Sequence, residues 1–374
     1  MSSDLRPALM SSVRSIVVKL GSNVLVTARG SLDHQLIARL AAAIARLRQK
    51  GISTTVVSSG AIAAGLDALG LAARPDDLPR LQACAAVGQA HLMQAYDQAL
   101  AAHGCHAAQI LITRDDFEHR DRYLNIRNCI NSLAELGAVP ILNENDTVGV
   151  EEIRYGENDV IAALVANNLQ ADLLILLTTV EGLYRDAARH DLVDVVEHLD
   201  ERTLRLADGT RSALGSGGMD TKLLAAQMVT AAGQPVVIAS GRRENVLDDI
   251  LAGRPVGTLF LPTPSKMNAR RRWIAFTARS RGRLTVDDGA AKALRERGKS
   301  LLASGIVSIS GNFKSGDVVT ITDSAGRDLA RGLTNYAADD VARIRGRRSC
   351  EFKKILGDKF YDEVVHRDNL VLRS

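Results

Sequence analysis

Two lysines stand beside glycine residues, in positions that suit the binding of a phosphate. Gly21 lies two residues after Lys19, and Lys222 ends the glycine-rich segment 215–222. Glycine lets a backbone approach a ligand closely, and an ammonium group offsets the charge of a phosphate. The alternatives are a solvated lysine at a strand end and a flexible surface loop. The segment is not the usual P-loop, because Thr221 precedes the lysine instead of following it.

Two polar clusters follow a buried strand within the stretch 137–159. The apolar run 138–142 leads directly into the cluster 143–146, and a second cluster, 157–159, precedes an apolar helix. Carboxylates there could bind an ammonium group or hold lysines in position, and amides can bind either end of an amino acid. Asn158 and Asp159 could instead serve as helix caps. Capping would explain one cluster but not both.

A run of small residues, 58–65, opens a predicted helix directly after a strand. Free N–H groups at a helix start bind anions, and small side chains leave room for a ligand. Tight packing between strand and helix is the alternative. Taken together, the lysines, the glycine-rich segment, the small-residue helix start and the acid–amide clusters favour phosphoryl transfer to a small acidic or zwitterionic acceptor.

The elements that would position these residues alternate between strands and helices over the first 260 residues. Apolar runs predict strands at 15–20, 52–57, 109–112, 139–142, 173–177 and 235–239. Helical patterns lie around 32–50, 79–102, 120–135, 159–169 and 219–232, and Ser31 is predicted to cap the first, which ends at Gly51. Such alternation predicts an α/β fold, with a mainly parallel sheet covered on both faces and ligands beyond the carboxyl ends of its strands.

The chain changes character after Pro262-Thr263-Pro264. Short β-like runs at 305–309, 317–321 and 369–372, separated by Gly and Asp, predict a small β-rich domain. The predicted organisation is therefore a first domain at 1–264, a linker at 265–280 and a second domain at 281–374.

Composition is that of an ordinary globular protein of 374 residues, 46% hydrophobic and 24% charged. No apolar run is long enough to span a bilayer, no secretory signal segment is apparent, and four scattered cysteines predict reduced thiols in a cytoplasmic protein. Residues 266–374 hold 23 Lys and Arg against 13 Asp and Glu. Such a basic tail could meet nucleic acid or could simply be well solvated.

Five motifs in this order resemble the glutamate 5-kinases of the amino-acid kinase superfamily. They are VVKLGSNVL, SSGAIAAG, ILNENDTV, GEND and GSGGMDTK, and the likeness covers nearly the whole chain. The tail, from about Arg283 through GNFKSGDVVTI to 364–368, resembles a PUA domain. The resemblance implies an αβα sandwich of amino-acid kinase fold followed by a PUA domain. It also implies ATP-dependent phosphorylation of the side-chain carboxylate of L-glutamate, the first step of proline synthesis.

The resemblance also implies roles for individual residues. Lys19, Lys222 and Asp159 would be catalytic, the lysines by stabilising charge on the transferring phosphoryl group. Glutamate would be bound by Ser59, Gly60, Asp146 and Asn158. ATP would be bound by Lys19, Thr178, Thr179, Ser216, Gly217, Gly218, Met219, Asp220, Thr221 and Lys222. No residue is expected to bind a metal directly, since Mg²⁺ would be bound through the nucleotide.

One position departs from the family pattern. Family members commonly have aspartate after the fifth strand, where this chain has Thr179. Either the backbone makes that nucleotide contact, or Glu181 partly substitutes.

The family further implies feedback inhibition by proline, homo-oligomers (dimers or tetramers) and possible transfer of the product to glutamyl phosphate reductase. No membrane association is expected. Two alternatives stay open: another kinase of the superfamily, acting on acetylglutamate or aspartate, and RNA binding through the basic tail.

Overall fold

The computed structural model describes residues 5–27, 30–149, 158–186, 191–200, 203–204, 206, 218–263, 271, 274–275, 279–357 and 361–373. The chain divides into two compact units, Met1–Lys266 and Met267–Ser374. Much of the predicted linker lies outside the described residues, so its bounds at 265 and 280 stay a prediction.

An eight-stranded sheet forms the centre of the first unit. Its strands are β1 (Ser15–Leu20), β2 (Ser53–Ser58), β3 (His106–Ile112), β4 (Ala138–Glu144), β5 (Leu173–Thr178), β6 (Val195–Val196), β7 (Val236–Ser240) and β8 (Thr258–Phe260). They lie in the order β3-β4-β2-β1-β5-β7-β8-β6. All neighbours pair in parallel except β7 and β8. The prediction of a mainly parallel sheet is confirmed.

Helices cover both faces of this sheet. They are α1 (Leu5–Ser11), α2 (Ser22–Leu25), α3 (His34–Gln49), α4 (Ala61–Ala68), α5 (Leu78–Ala101), α6 (Arg114–Glu118), α7 (Arg120–Glu135), α8 (Asn158–Leu169), α9 (Met219–Thr230) and α10 (Val246–Leu251). Helices α3, α4, α5 and α10 share one apolar core with the sheet. On the opposite face, α8 packs against both α7 and α9, and all three helices contact the sheet.

The predicted cap of α3 is wrong. Asp33, not Ser31, is the N-cap, and its side chain accepts a hydrogen bond from the backbone N–H of Leu36. A carboxylate at the N-cap also meets the positive end of the helix dipole, which a serine hydroxyl does less well. The helix ends at Gln49, before Gly51, which adopts a left-handed conformation with φ of +75°.

Central strands such as β1, β5 and β7 are buried on both sides, which explains their apolar sequences, whereas the edge strand β3 is largely exposed. In β1, Ile16, Val18 and Leu20 enter the core shared with α3 and α5. Because side chains alternate along a strand, Val17 and Lys19 face the other side, toward α8. A lysine on a buried strand must find a charged partner on that face.

The second unit contains a five-stranded sheet in the order β10-β9-β11-β12-β13. The strands are β9 (Ser280–Val286), β10 (Ile306–Gly311), β11 (Val318–Thr322), β12 (Asp328–Thr334) and β13 (Val365–Leu372), joined by α11 (Asp288–Arg297), α12 (Ala338–Ile344) and α13 (Phe352–Leu356). Phe313, Phe352 and Tyr336 anchor its core. The β-rich prediction is confirmed, but β9 and β12 and the three helices had not been predicted.

In the described part of the chain, no helix combines the length and apolar character that crossing a membrane requires.

Candidate active site

Lys19 is the penultimate residue of β1, at the carboxyl end of the strand. The residue is 5% exposed, and its ammonium Nζ lies 2.8 Å from Oδ1 of Asp159. A Cβ added at Gly21 would stand 3.5 Å from this Nζ. A side chain there would cover one side of the ammonium group, so glycine keeps that side open to a ligand.

Asp159 sits in the first turn of α8, next to Asn158, and both are buried. An acidic residue in a first turn is stabilised by the positive end of the helix dipole. Every residue from Asn158 to Asn168 is buried, so α8 is a central helix rather than a surface one. The polar pair Asn158 and Asp159 begins this helix, and a second buried polar pair, Asn167 and Asn168, lies near its other end and donates to the backbone carbonyls of Met228 and Tyr123.

Lys222 reaches the same carboxylate from the first turn of α9. Its Nζ lies 3.0 Å from Oδ2 of Asp159 and 3.3 Å from the carbonyl of Gly218. The hydroxyl of Thr221 donates to the same Oδ2 at 2.7 Å. Helix α9 packs directly on α8, which is how these two first turns meet. One buried carboxylate thus holds two buried ammonium groups.

The electrostatics of this trio favour a charged Asp159. Burial acts to raise the pKa of Asp159, but the ammonium groups of Lys19 and Lys222, with the hydrogen bond from Thr221, outweigh it and hold the pKa well below its ordinary value. The carboxylate is therefore ionised at neutral pH. With both lysines protonated, the trio carries one net positive charge at the edge of the sheet, which suits a polyphosphate.

Four polar side chains form a second connected group. The Asn158 Nδ2 donates to Ser59 Oγ at 2.9 Å and to Asn143 Oδ1 at 3.1 Å. The Asn143 Nδ2 donates in turn to Gln89 Oε1 at 2.9 Å. These residues come from α8, the end of β2, the end of β4 and the middle of α5. The group connects the two polar clusters of the sequence around the carboxyl edge of the sheet.

The small-residue start of α4 serves packing as well as the site. Gly60 adopts a left-handed conformation with φ of +102°, which lets the chain turn from β2 into the helix. A Cβ on Gly65 would lie 1.8 Å from the carbonyl of Cys84, and one on Gly88 would lie 1.8 Å from the carbonyl of Ala61. Helices α4 and α5 therefore cross at backbone contact. The packing interpretation accounts for Gly65, while Ser59 joins the polar group.

Asp146 is buried just beyond β4 and lines a cavity of about 280 Å³ together with Gln89, Glu144 and Asn145. The loop carrying it folds back on itself, since Asn145 accepts backbone hydrogen bonds from Val148 and Gly149. Three alanines and Leu111 also line this cavity, and Gln89 connects it to the Asn158 group. The carboxylates and amides of the lining suit a small zwitterion.

The predicted nucleotide residues fall partly within the described structure. Thr178 ends β5 half-buried, beside the end of β1, and Thr179 follows it exposed to solvent, as is Glu181. Gly218, Met219, Asp220, Thr221 and Lys222 lead into or open α9, with Asp220 exposed. Ser216 and Gly217 lie outside the described residues. The contacts bring together Lys19, Asp159, Thr221 and Lys222; no described contact joins Thr179 to them.

Sequence reasoning missed the roles of Asn143 and Gln89. Asn143 stood in the first polar cluster without an assigned contact. Gln89 lies inside a 24-residue helix, and only its burial, at 9% exposure, distinguishes it from the other glutamines of that helix. Tyr96, whose hydroxyl lies 2.9 Å from Ser58 Oγ, supports the end of β2 from the same helix. Burial raises the pKa of Tyr96 against the opposing hydrogen bond from Ser58.

Among the described residues, no three His, Cys, Asp or Glu side chains are grouped so that they could hold a metal ion. The chemistry available at the edge of the sheet is that of two fixed ammonium groups, a carboxylate that holds them, and amides beside a polar cavity.

Family comparisons agree with this geometry. Residues 14–240 match the amino acid kinase family, and residues 282–356 match the PUA domain. The glutamate 5-kinase of Geobacter sulfurreducens is 44% identical over 98% of this chain and all of its own length. Those of Trichlorobacter lovleyi and Syntrophotalea carbinolica are 45% and 46% identical, each over 99% of this chain and their full length.

A solved carbamate kinase from Giardia covers 67% of this chain and all of its own, at 21% identity and a TM-score of 0.47, a likeness too low to inform the site. The sequence relatives span both units and carry the family assignment: this chain belongs to the amino acid kinase family and is built, over its whole length, like the glutamate 5-kinases.

Proposed function

We propose that this chain transfers the γ-phosphoryl group of ATP to the side-chain carboxylate of L-glutamate. The product is L-glutamyl 5-phosphate, and the reaction is the first step of proline synthesis. The observation that carries the proposal is the buried Lys19–Asp159–Lys222 cluster, in a chain 42–46% identical to glutamate 5-kinases over nearly its full length.

The acceptor needs no general base. A glutamate side chain has a pKa of about 4.3 and is already ionised at neutral pH. Its oxygen can therefore attack the γ-phosphorus directly, while the bond from that phosphorus to the β,γ-bridging oxygen breaks and ADP leaves. Rate enhancement then depends on alignment and on neutralising the charge that spreads over the phosphoryl oxygens. Lys19 and Lys222 supply that neutralisation, and Asp159 keeps both ammonium groups where the charge develops. Mg²⁺, entering with ATP, supplies further neutralisation of the phosphates.

The remaining residues divide between the two substrates. Ser59, Gly60, Asp146 and Asn158 bind glutamate, with the Asp146 carboxylate suited to its ammonium group. The Asn158 amide meets either the α-carboxylate or the reacting end. The segment 216–222 and the residues Thr178 and Thr179 bind ATP, where the backbone or Glu181 replaces the family's aspartate.

Hydroxylamine trapping tests the proposal. The purified chain would be incubated with MgATP, hydroxylamine and, in separate reactions, L-glutamate, aspartate or N-acetylglutamate. Hydroxylamine attacks the acyl phosphate carbonyl and releases phosphate, leaving a hydroxamate. Product from glutamate alone supports the proposal. Product from aspartate or N-acetylglutamate instead of glutamate would assign the chain to another activity of the superfamily.

Regulation and assembly are proposed from the family. Proline competes with glutamate and thereby inhibits its own synthesis. The chain forms homo-oligomers in the cytoplasm. Its labile product, glutamyl 5-phosphate, passes to glutamyl phosphate reductase. Activity unchanged by millimolar proline would contradict inhibition by proline. A monomer in analytical ultracentrifugation would contradict the formation of homo-oligomers.

RNA binding through the second unit is a second candidate, favoured by the excess of 23 basic over 13 acidic residues in 266–374. Phosphate contacts release counterions, so binding of an RNA by the full chain should weaken steeply with salt. No gel shift at low salt would remove this candidate.

A further inference from the structure

Three buried amides form a hydrogen-bonded chain from α5 to the start of α8. Gln89 Oε1 accepts from Asn143 Nδ2 at 2.9 Å, and Asn143 Oδ1 accepts from Asn158 Nδ2 at 3.1 Å. The residues are 9%, 2% and 1% exposed, respectively. Hydrogen bonds at this depth are shielded from competition with water, so each amide is held by its protein neighbours.

A backbone group determines which way each amide is turned. The N–H of Glu144 donates to Asn143 Oδ1 at 2.9 Å, and a backbone N–H can only donate. The oxygen of Asn143 must therefore face Glu144, and its NH₂ group must face Gln89. The group of Asn158 that meets Asn143 must then be its NH₂, which also reaches Ser59 Oγ at 2.9 Å. Turning any one amide would set donor against donor or oxygen against oxygen.

From this logic we infer that Gln89 is a positioning residue for the glutamate site. It supplies the acceptor that holds the Asn143 amide, and Asn143 in turn holds the amide of Asn158, so that the Asn158 oxygen is presented in one direction only. The inference rests on the proposed function, in which Asn158 binds glutamate. Gln89 itself need not contact the reacting atoms.

The place of Gln89 agrees with a role at the glutamate side and not at the ATP side. It lines the same cavity of about 280 Å³ as Asp146. Lys19 and Lys222 are held by Asp159, and no described hydrogen bond joins that cluster to Gln89. Removing the acceptor at position 89 should therefore disturb glutamate binding and leave ATP binding unchanged.

Substitutions at position 89 can separate the acceptor from the shape of the side chain. Gln89→Met keeps the length and removes the acceptor, which leaves a buried N–H of Asn143 without its partner. Gln89→Glu keeps an oxygen in that place in either protonation state. It loses no hydrogen bond, because Gln89 Nε2 has none among the described residues. Gln94→Met, on the exposed face of the same helix, is the matched control.

Steady-state kinetics of the full chain provide the test. For Gln89→Met we expect KM for glutamate to rise about tenfold, equivalent to about 1.4 kcal/mol, with KM for MgATP unchanged. Gln89→Glu should restore most of the glutamate affinity, and Gln94→Met should match the wild type. If Gln89→Met does not fold, Gln89→Asn replaces it, since that amide is withdrawn by one methylene and should raise the same KM selectively.

Two results would overturn the inference. One is an unchanged KM for glutamate in Gln89→Met. The other is a parallel rise in both KM values that Gln89→Glu does not reverse, which would indicate a purely structural role. Failure of the proposed function is distinguishable, because the wild-type chain would then form no glutamyl hydroxamate at all.

Discussion

Replacing Asp159 by asparagine removes one buried negative charge from between two buried ammonium groups and keeps the side-chain volume. At 2.8 and 3.0 Å from the lysine nitrogens, each attraction amounts to about 5.5–6 kcal/mol at an effective permittivity of ~20. The desolvation of the three groups offsets much of this. Leaving buried charge uncompensated costs about 3–5 kcal/mol, and we expect the free energy of unfolding of the first unit to fall by that amount.

The same substitution should lower the rate of phosphoryl transfer and alter the response to ATP. Lys19 and Lys222 lose the group that fixes them, so turnover should fall by about 10²–10³. The uncompensated ammonium groups should be drawn more strongly to a polyphosphate. MgATP should therefore raise the unfolding free energy of Asp159→Asn by more than it raises that of the wild type.

Urea unfolding with and without MgATP, together with the hydroxamate rate, measures all three effects. Asp121→Asn is a suitable control, since Asp121 also lies in the first turn of a helix but is exposed. An Asp159→Asn variant with wild-type stability and rate would refute the reasoning that this carboxylate holds the two lysines.

Three further predictions concern Arg6, Gly88 and the pH dependence of the Asp159 contacts. Arg6→Ala should lower the unfolding free energy by about 1.5–3 kcal/mol, measured by urea unfolding. The buried guanidinium donates to the carbonyls of Asp194, Val256 and Gly257 and to the half-exposed Asp194 carboxylate, and the substitution removes all of these hydrogen bonds. A loss of less than about 0.5 kcal/mol, as for an exposed ion pair, would contradict this. Gly88→Ala should lower the unfolding free energy by about 3 kcal/mol and raise KM for glutamate, because the new Cβ would press on the α4 backbone that follows Ser59. Wild-type stability and kinetics would contradict this and would show that α4 and α5 can separate freely. The pKa of Asp159 is lowered by folding, so the stability that its carboxylate contributes is complete above the ordinary aspartate pKa of about 3.9 and is lost as pH falls below it. In urea unfolding, the difference in unfolding free energy between wild type and Asp159→Asn should be constant from about pH 5 to 8 and should shrink in acid. A difference that grew in acid would contradict this.

The first unit was largely predictable because its central strands are buried on both faces. Strands such as β1 and β5 are near-continuous apolar runs, and the carboxyl ends of parallel strands must meet at one edge. That rule places Lys19 and the cluster 143–146 at the same edge of the sheet. It could not show that Asp159 binds both lysines, since that contact depends on how α8 and α9 pack.

Other features left no local signal. Gln89 resembles Gln94 in sequence, and only the fold shows which one is buried. In the second unit, β9 reads SRGRLTV, whose arginines obscure the alternation of a strand that buries only Leu284 and Val286. Asp33 displaced Ser31 as the cap of α3 because both residues suit that position and the choice depends on where the helix starts.

Isotopic labelling of the acceptor oxygen shows most directly whether glutamate receives the phosphoryl group. The chain would be supplied with MgATP, hydroxylamine and glutamate labelled with ¹⁸O in its side-chain carboxylate, and the released phosphate would be analysed by mass spectrometry. If that carboxylate attacks the γ-phosphorus, the bridging oxygen leaves with the phosphate, so each phosphate carries one ¹⁸O, and Lys222→Ala releases far less of it. Unlabelled phosphate would mean that water, not glutamate, accepts the phosphoryl group, and would contradict the proposed reaction.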